Sequence, residues 1–300
     1  MSDLNKINIV NKNSKEYPRL LKEIQNPPEK IFILGKLPGD PPVDGPKIAI
    51  VGTRKATDYG KSLAKKLARA LTEIGAIIVS GLAMGIDTAA HEGAIEAKGK
   101  TIAVLANGLD QIYPKQNENL SKKILELNGA IISEYEPGKP ALEHQFLERN
   151  RIVSGLSVAT IVIEAPERSG SIVTARLAAE QGREVFVAPG QVNHPNYKGS
   201  HQLIRDGARL ITSIDDIIED LGLENYNLKL KNSKQIPNLK NINDRNQLLI
   251  LKIIKETGEP ANIDKIIETT KLEPQTINQA IAFLIIEGII KETERGYTIY

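Results

Sequence analysis

Arg54 follows the apolar run Lys47–Val51 after only Gly52 and Thr53. A guanidinium at the end of such a run can grip a phosphate with two parallel hydrogen bonds. Further along, the segment Phe146-Leu147-Glu148-Arg149-Asn150-Arg151 places two arginines around an asparagine close to an aromatic ring. That combination suits a phosphate backbone with a base to stack on Phe146; a helix start with solvated arginines and a core Phe146 would read the same way. Ser80-Gly81 and Ser169-Gly170 are small pairs that also follow apolar runs. Small residues allow close backbone approach, and the free N–H groups of a following helix attract anions. Turns after strands use glycine whatever their function, so the signal lies in several such loops together with Arg54. Glu134, Glu164, Asp87 and Asp110 stand at or near the ends of runs and could act as acids or bases on a nucleotide; Asp87 also suits a helix cap. The four histidines, His91, His144, His194 and His201, lack the i, i+4 spacing of a helical metal pair. His91, within a helical stretch, reads as a structural hydrogen-bonding residue.

These residues need a frame, and the apolar pattern supplies one. Short runs occur at 47–51, 76–79, 101–105, 130–132, 159–163, 184–187 and 208–211. Continuous Val/Ile runs without alternation indicate strands buried on both faces. Between them lie helical stretches at 59–74, 87–97, 119–127 and 174–181. Strand–helix alternation predicts an α/β fold, a Rossmann-like doubly wound, mostly parallel sheet, over residues 46–222. In such sheets ligands bind beyond the carboxyl ends of the strands, where Gly52, Arg54, Ser80, Gly81, Ser169 and Gly170 fall. The proline-rich residues 1–45 are too short for a core of their own and are expected to pack on the sheet as an extension, with 31–35 adding an edge strand. Residues 223–243, rich in Asn and Lys, read as a linker.

Residues 244–300 restart the pattern with three helical stretches (244–257, 262–270 and 274–287) and two short strands, a small C-terminal winged helix. Asn262 suits the cap of the second helix. This region carries seven Lys+Arg and nine Asp+Glu, and PQTINQAIAFLIIE, the stretch in the recognition-helix position, has no basic residue. Phosphate neutralisation supplies most duplex affinity, so a protein contact or packing on the main domain is expected instead.

Composition excludes several classes. Net charge is only +2 over 300 residues, so any basic site must be local. The absence of cysteine removes thiolate zinc sites, iron–sulfur clusters and a Cys nucleophile. The N-terminus has no apolar core of signal-peptide length and no run approaches a membrane span, so a cytoplasmic protein without membrane contact is expected. The sequence G-T-R-K-A-T after the first run is not G-x-G-x-x-G, and no G-x-x-x-x-G-K-[ST] occurs. Neither a nicotinamide cofactor nor any other is expected.

The order Val51-Gly52-Thr53-Arg54, Ser80-Gly81-Leu82-Ala83-Met84-Gly85-Ile86-Asp87, Tyr113-Pro114, Arg149-Asn150-Arg151-Ile152, Ser169-Gly170-Ser171 and Pro189-Gly190 resembles the DprA/Smf family of DNA-processing proteins. The resemblance runs from about residue 17 to 222 and continues into the winged helix. It implies a non-enzymatic, homodimeric protein that binds single-stranded DNA without base specificity and loads RecA onto it during natural transformation. It implies phosphate contacts from Gly52, Arg54, Arg149 and Arg151, Lys115 lining the same pocket, and base stacking on Phe146. The rival is a nucleotide hydrolase resembling the lysine-decarboxylase-like phosphoribohydrolases. Their Pro-Gly-Gly-x-Gly-Thr-x-x-Glu loop would correspond to residues 166–174, which lack the double glycine and the closing glutamate. A duplex-binding regulator is a third reading, and the acidic C-terminal region counts against it.

Overall fold

The structure is a computed structural model that describes residues 6–41, 43–223, 245–257, 260–286, 290–293 and 296–299. They form two compact units, one ending at Leu223 and the other described from residue 245 on. The linker read over 223–243 lies, from residue 224 on, outside the described residues.

The first unit holds nine strands: β1 (Asn8–Asn11), β2 (Lys30–Gly35), β3 (Lys47–Val51), β4 (Ile77–Ser80), β5 (Thr101–Val104), β6 (Ala130–Ser133), β7 (Ala159–Val162), β8 (Glu184–Val187) and β9 (Arg209–Leu210). Their spatial order is β1-β2-β6-β5-β4-β3-β7-β8-β9. From β6 to β9 all neighbours are parallel. β2 runs antiparallel to β6, and β1 antiparallel to β2. The Rossmann-like, mostly parallel sheet is therefore present. Ile31–Gly35 is not its edge: Asn8–Asn11 pairs outside it, and Phe32 and Ile33 are buried as interior strand residues.

Eight helices accompany the sheet: α1 (Arg19–Lys22), α2 (Asp58–Glu73), α3 (Ile86–Glu96), α4 (Glu118–Glu126), α5 (Glu143–Gly155), α6 (Gly170–Glu180), α7 (Lys198–Arg205) and α8 (Ile214–Asp220). They cover both faces, so β3 is buried along its whole length. Each fully buried Ile of such a strand contributes about 1.5–3 kcal/mol relative to exposure. β3 is followed by β4, β5 and β6 on one side and flanked by β7, β8 and β9 on the other. Chain direction across the sheet thus reverses beside β3, and the loops leaving the C-terminal ends of β3 and β7 diverge there. Crevices of this kind hold ligands in open α/β sheets.

The second unit contains α9 (Arg245–Thr257), α10 (Ile263–Thr270), α11 (Pro274–Ile286) and a hairpin of β10 (Ile290–Thr293) and β11 (Gly296–Ile299). Asn262 caps α10 by accepting the Asp264 N–H. Ala261 pairs with Tyr297 in a single antiparallel bridge beside the hairpin. Ile250, Ile254, Ile266, Ile277 and Leu284 form its own core.

Candidate functional site

A cleft of about 660 Å³ opens at the C-terminal ends of the central strands. Four segments form most of its wall, with Tyr113 beside them: Gly52 to Lys55 after β3, Gly81 to Asp87 after β4, the face of α5 bearing Phe146, Arg149 and Asn150, and Pro166 to Thr174 at the start of α6.

The loop after β3 is held from below. The Thr53 N–H donates to the Glu164 carbonyl at 2.8 Å, and the Thr57 N–H donates to the Glu164 carboxylate at 3.0 Å. Gly85, at φ 86°, opens α3 so close to the carbonyls of Thr53 and Arg54 that any Cβ there would collide with them. Arg54 and Lys55 are left on the outside. Both are exposed, and their side chains make no hydrogen bond or ion pair among the described residues. The Arg54 guanidinium lies 4.9 Å from the centre of the Phe146 ring. Tyr113 packs on the same ring at 5.7 Å. Arg168, across the cleft, is likewise exposed and unpaired among the described residues.

The start of α6 is also free. Ser169 occupies the cap position, but its hydroxyl bonds Ser171 instead of a helix N–H. The first-turn N–H groups of this helix carry a partial positive charge toward the cleft.

Arg149 has a different character. It is 5% exposed, and its Nη1 donates to the carbonyls of Gly81 (2.8 Å) and Val104. It thereby ties α5 to the ends of β4 and β5. Burial lowers its pKa to about 10, with Asp87 opposing and Arg54 adding to the shift, so it stays charged at neutral pH. Asp87 accepts the N–H groups of Gly81 and Ala83, and burial raises its carboxyl above the ordinary range. Asn150 donates to the Gly170 carbonyl at 3.1 Å and so fixes α5 against the start of α6.

The sequence expectations therefore divide. Gly52, Arg54, Gly81, Phe146, Arg149, Asn150, Ser169 and Gly170 all line one cleft. Gly52 is the tight approach: a Cβ there would sit 2.5 Å from Ile86. Ser80 does not line it; its side chain is fully buried and donates to the Ile50 carbonyl at 2.6 Å. Gly81 offers no spare donor, because its N–H serves Asp87. Arg151 points elsewhere, into a bidentate ion pair with Glu134 at 2.8 and 2.6 Å. Lys115 is exposed in a short turn at Lys115–Asn117, and Tyr113 lines the cleft in its place. Lys55, Arg168 and Tyr113 join the site from outside the sequence expectations. Lys55 adjoins Arg54, and Arg168 adjoins Ser169, so their positions carry a signal; Tyr113 carries one only as an exposed aromatic beside Pro114.

The profile of the DNA recombination-mediator protein A family matches residues 8–222. The chain belongs to that family. It is 41% identical over 213 residues to protein Smf of Escherichia coli and 43% identical over 215 residues to the DNA processing protein DprA of Bacillus subtilis. Those matches cover 71% and 72% of this chain, and 56% and 71% of the two relatives, so the chain spans little more than half of the first. It superposes on the crystal structure of DNA processing protein A from Streptococcus pneumoniae with a TM-score of 0.65 at 40% identity, over 72% of this chain and 75% of that one. A structure of the Helicobacter pylori protein, reported for its single-stranded DNA binding mode, gives 0.63 at 35% identity, over 72% and 95%. The family resemblance and the doubly wound fold stand as expected from the sequence. The C-terminal unit, expected from the sequence to be a winged helix, lies beyond the profile match.

No helix among the described residues is long and apolar enough to cross a membrane.

Proposed function

We propose that this protein binds single-stranded DNA without base specificity and serves as a recombination mediator. The observation that carries the reading is three exposed cations, Arg54, Lys55 and Arg168, with no side-chain hydrogen bond or ion pair among the described residues, lining one cleft at the strand ends where Arg54 lies over the Phe146 ring. Cations left unpaired at a concave site suit phosphates, and phosphates carry no base identity. The Phe146–Tyr113 pair offers a ring on which any base can stack, and the α6 N-terminus adds backbone donors. The single-stranded DNA bound by the Helicobacter pylori relative agrees with this reading. Within this set Gly52, Arg54, Lys55, Phe146, Arg168, Ser169 and Gly170 contact the strand, while Arg149 and Asn150 hold the walls in place.

Loading of RecA, assembly as a homodimer and residence in the cytoplasm, without enzymatic turnover, complete the proposal. RecA filament growth on coated single strands and light-scattering mass test the first two. Of the two acids lining the cleft, Asp87 is taken up by backbone N–H groups and Glu143 is exposed at the start of α5, so AMP cleavage is expected to be undetectable. The direct test is competition: a labelled oligo-dT should be displaced by unlabelled single strands of any sequence and poorly by a duplex of equal length. Equal displacement by the duplex would contradict the proposal.

A further inference from the structure

Glu164 lies just beyond β7, fully buried, and contributes nothing to the cleft wall. A buried carboxylate must be fully compensated to persist, and this one is. Its Oε2 accepts the Thr57 N–H at 3.0 Å and the Asn196 amide at 2.9 Å. Its Oε1 accepts the Thr57 hydroxyl and the Tyr197 hydroxyl, the latter at 3.0 Å. Gly60, in the first turn of α2, comes so near that a Cβ there would sit 2.5 Å from the carboxyl group. Burial alone would raise the pKa, but the bonds from Thr57, Asn196 and Tyr197 outweigh it and hold the group below the ordinary carboxylate range.

The donors are not scattered. The Glu164 carbonyl holds Thr53 and its carboxylate holds Thr57, so one residue closes both ends of the five-residue loop that carries Arg54 and Lys55. Asn196 spans the middle, donating at 3.0 Å to the Lys55 carbonyl while it donates to Glu164. We propose that Glu164 is the positioning residue for DNA binding: with Asn196 it clamps the loop of residues 53–57 so that the Arg54 and Lys55 side chains face the cleft before DNA arrives. This rests on the single-stranded DNA reading above. Preorganisation matters because loop ordering otherwise subtracts from binding. It also explains an acid beneath a phosphate site: its charge is consumed by N–H and O–H donors, and the two cations above remain unneutralised.

Glu164→Gln keeps the shape but turns an amide NH₂ toward groups that are themselves donors. Oligo-dT affinity is expected to fall about fivefold or more at low salt, as for loss of one or two hydrogen bonds. The salt slope should become shallower by about 0.7 for each phosphate that the protein no longer neutralises. In an Arg54→Ala/Lys55→Ala background the same substitution should cost less than about twofold, because the loop then has no cations to place. Wild-type affinity and slope in Glu164→Gln, or an undiminished loss in that background, would overturn the proposal. Asn196→Ala, in a loop, provides a second variant should Glu164→Gln fail to fold; about a threefold loss is expected, and none would overturn it. Hydrogen exchange of the Thr57 amide reads the clamp without DNA: strong protection that drops in Glu164→Gln is expected, and unchanged exchange would refute the clamp. A wild type that fails to bind oligo-dT while Thr57 shows this change would instead remove the DNA reading.

Discussion

The loop of residues 53–57 and helix α5 each bring two cations to the same end of the sheet, and they use them in opposite ways. Arg54 and Lys55 are exposed, with their backbone held by Glu164 and Asn196 and their side chains unpaired among the described residues. Arg149 and Arg151 are spent on the protein, one on strand-end carbonyls and the other on Glu134. The first region is a held surface charge and the second is a set of structural ties. An arginine's role thus follows from whether its donors already have acceptors. A guanidinium that satisfies buried carbonyls cannot leave them for a phosphate without orphaning them.

The largest effect that would break this contrast is on stability. Arg149→Ala leaves the Gly81 and Val104 carbonyls without their donor and Asp87 without a neighbouring positive charge. It is expected to cost roughly 3–5 kcal/mol, the range for removing one member of a buried charged group. Urea denaturation checks this; a loss below about 1 kcal/mol, the worth of an ordinary exposed charge, would make Arg149 a surface cation like Arg54.

Acid separates the regions next. His91 lies one turn after Asp87 on α3, is fully buried, and burial depresses its pKa to about 3. Thr101 donates its hydroxyl proton to the Ile78 carbonyl, so its oxygen accepts from His91 Nδ1. The neutral ring then carries its proton on Nδ1, and Nε2 is bare. The folded pKa is below the ordinary value of 6.5, so the unfolded chain takes the proton first. The stabilising contribution is complete above about pH 6.5 and is lost as pH falls toward about 3, roughly 2 kcal/mol of it by about pH 5. Denaturation midpoints at neutral pH and near pH 5 should show this, and His91→Gln should flatten the trend. His91 does not line the cleft, so DNA affinity of the folded protein should hold.

Much of this is legible in the sequence and some is not, for physical reasons. Six strands of the sheet, β3 to β8, announce themselves because strands buried on both faces need nearly uninterrupted Val, Ile and Ala, while β9 is two exposed residues inside the run 208–211. β1, reading Asn-Ile-Val-Asn, is short and mostly exposed and carries no such run. Nothing in the pattern marks it, and without it β2 takes the place of an edge. The strand-end loops are legible as glycine-rich turns, and Arg54 as the arginine directly after one. Arg151 cannot be separated from Arg54 by sequence, since its partner Glu134 is 17 residues away and meets it only through the fold. Ser80 and Ser169 look alike until their hydroxyls are placed, one sealed against Ile50 and the other at the cleft. Glu164 stands out as a strand-end acid, but its donors come from residues 57, 196 and 197, which sequence does not place together.

The smallest effect expected is for Arg151→Ala. Its ion pair with Glu134 is mostly buried and bidentate, so about 1 kcal/mol of stability should go, with oligo-dT affinity unchanged. A loss of DNA binding as large as that expected for Arg54→Ala would return Arg151 to the phosphate contacts that the sequence suggests.

The most direct measurement is the salt dependence of oligo-dT binding for wild type, Arg54→Ala and Arg151→Ala side by side. The account predicts that Arg54→Ala weakens binding about tenfold at low salt, with a slope shallower by about 0.7, while Arg151→Ala overlays wild type. Equal slopes for all three, or a shallower slope for Arg151→Ala alone, would contradict it.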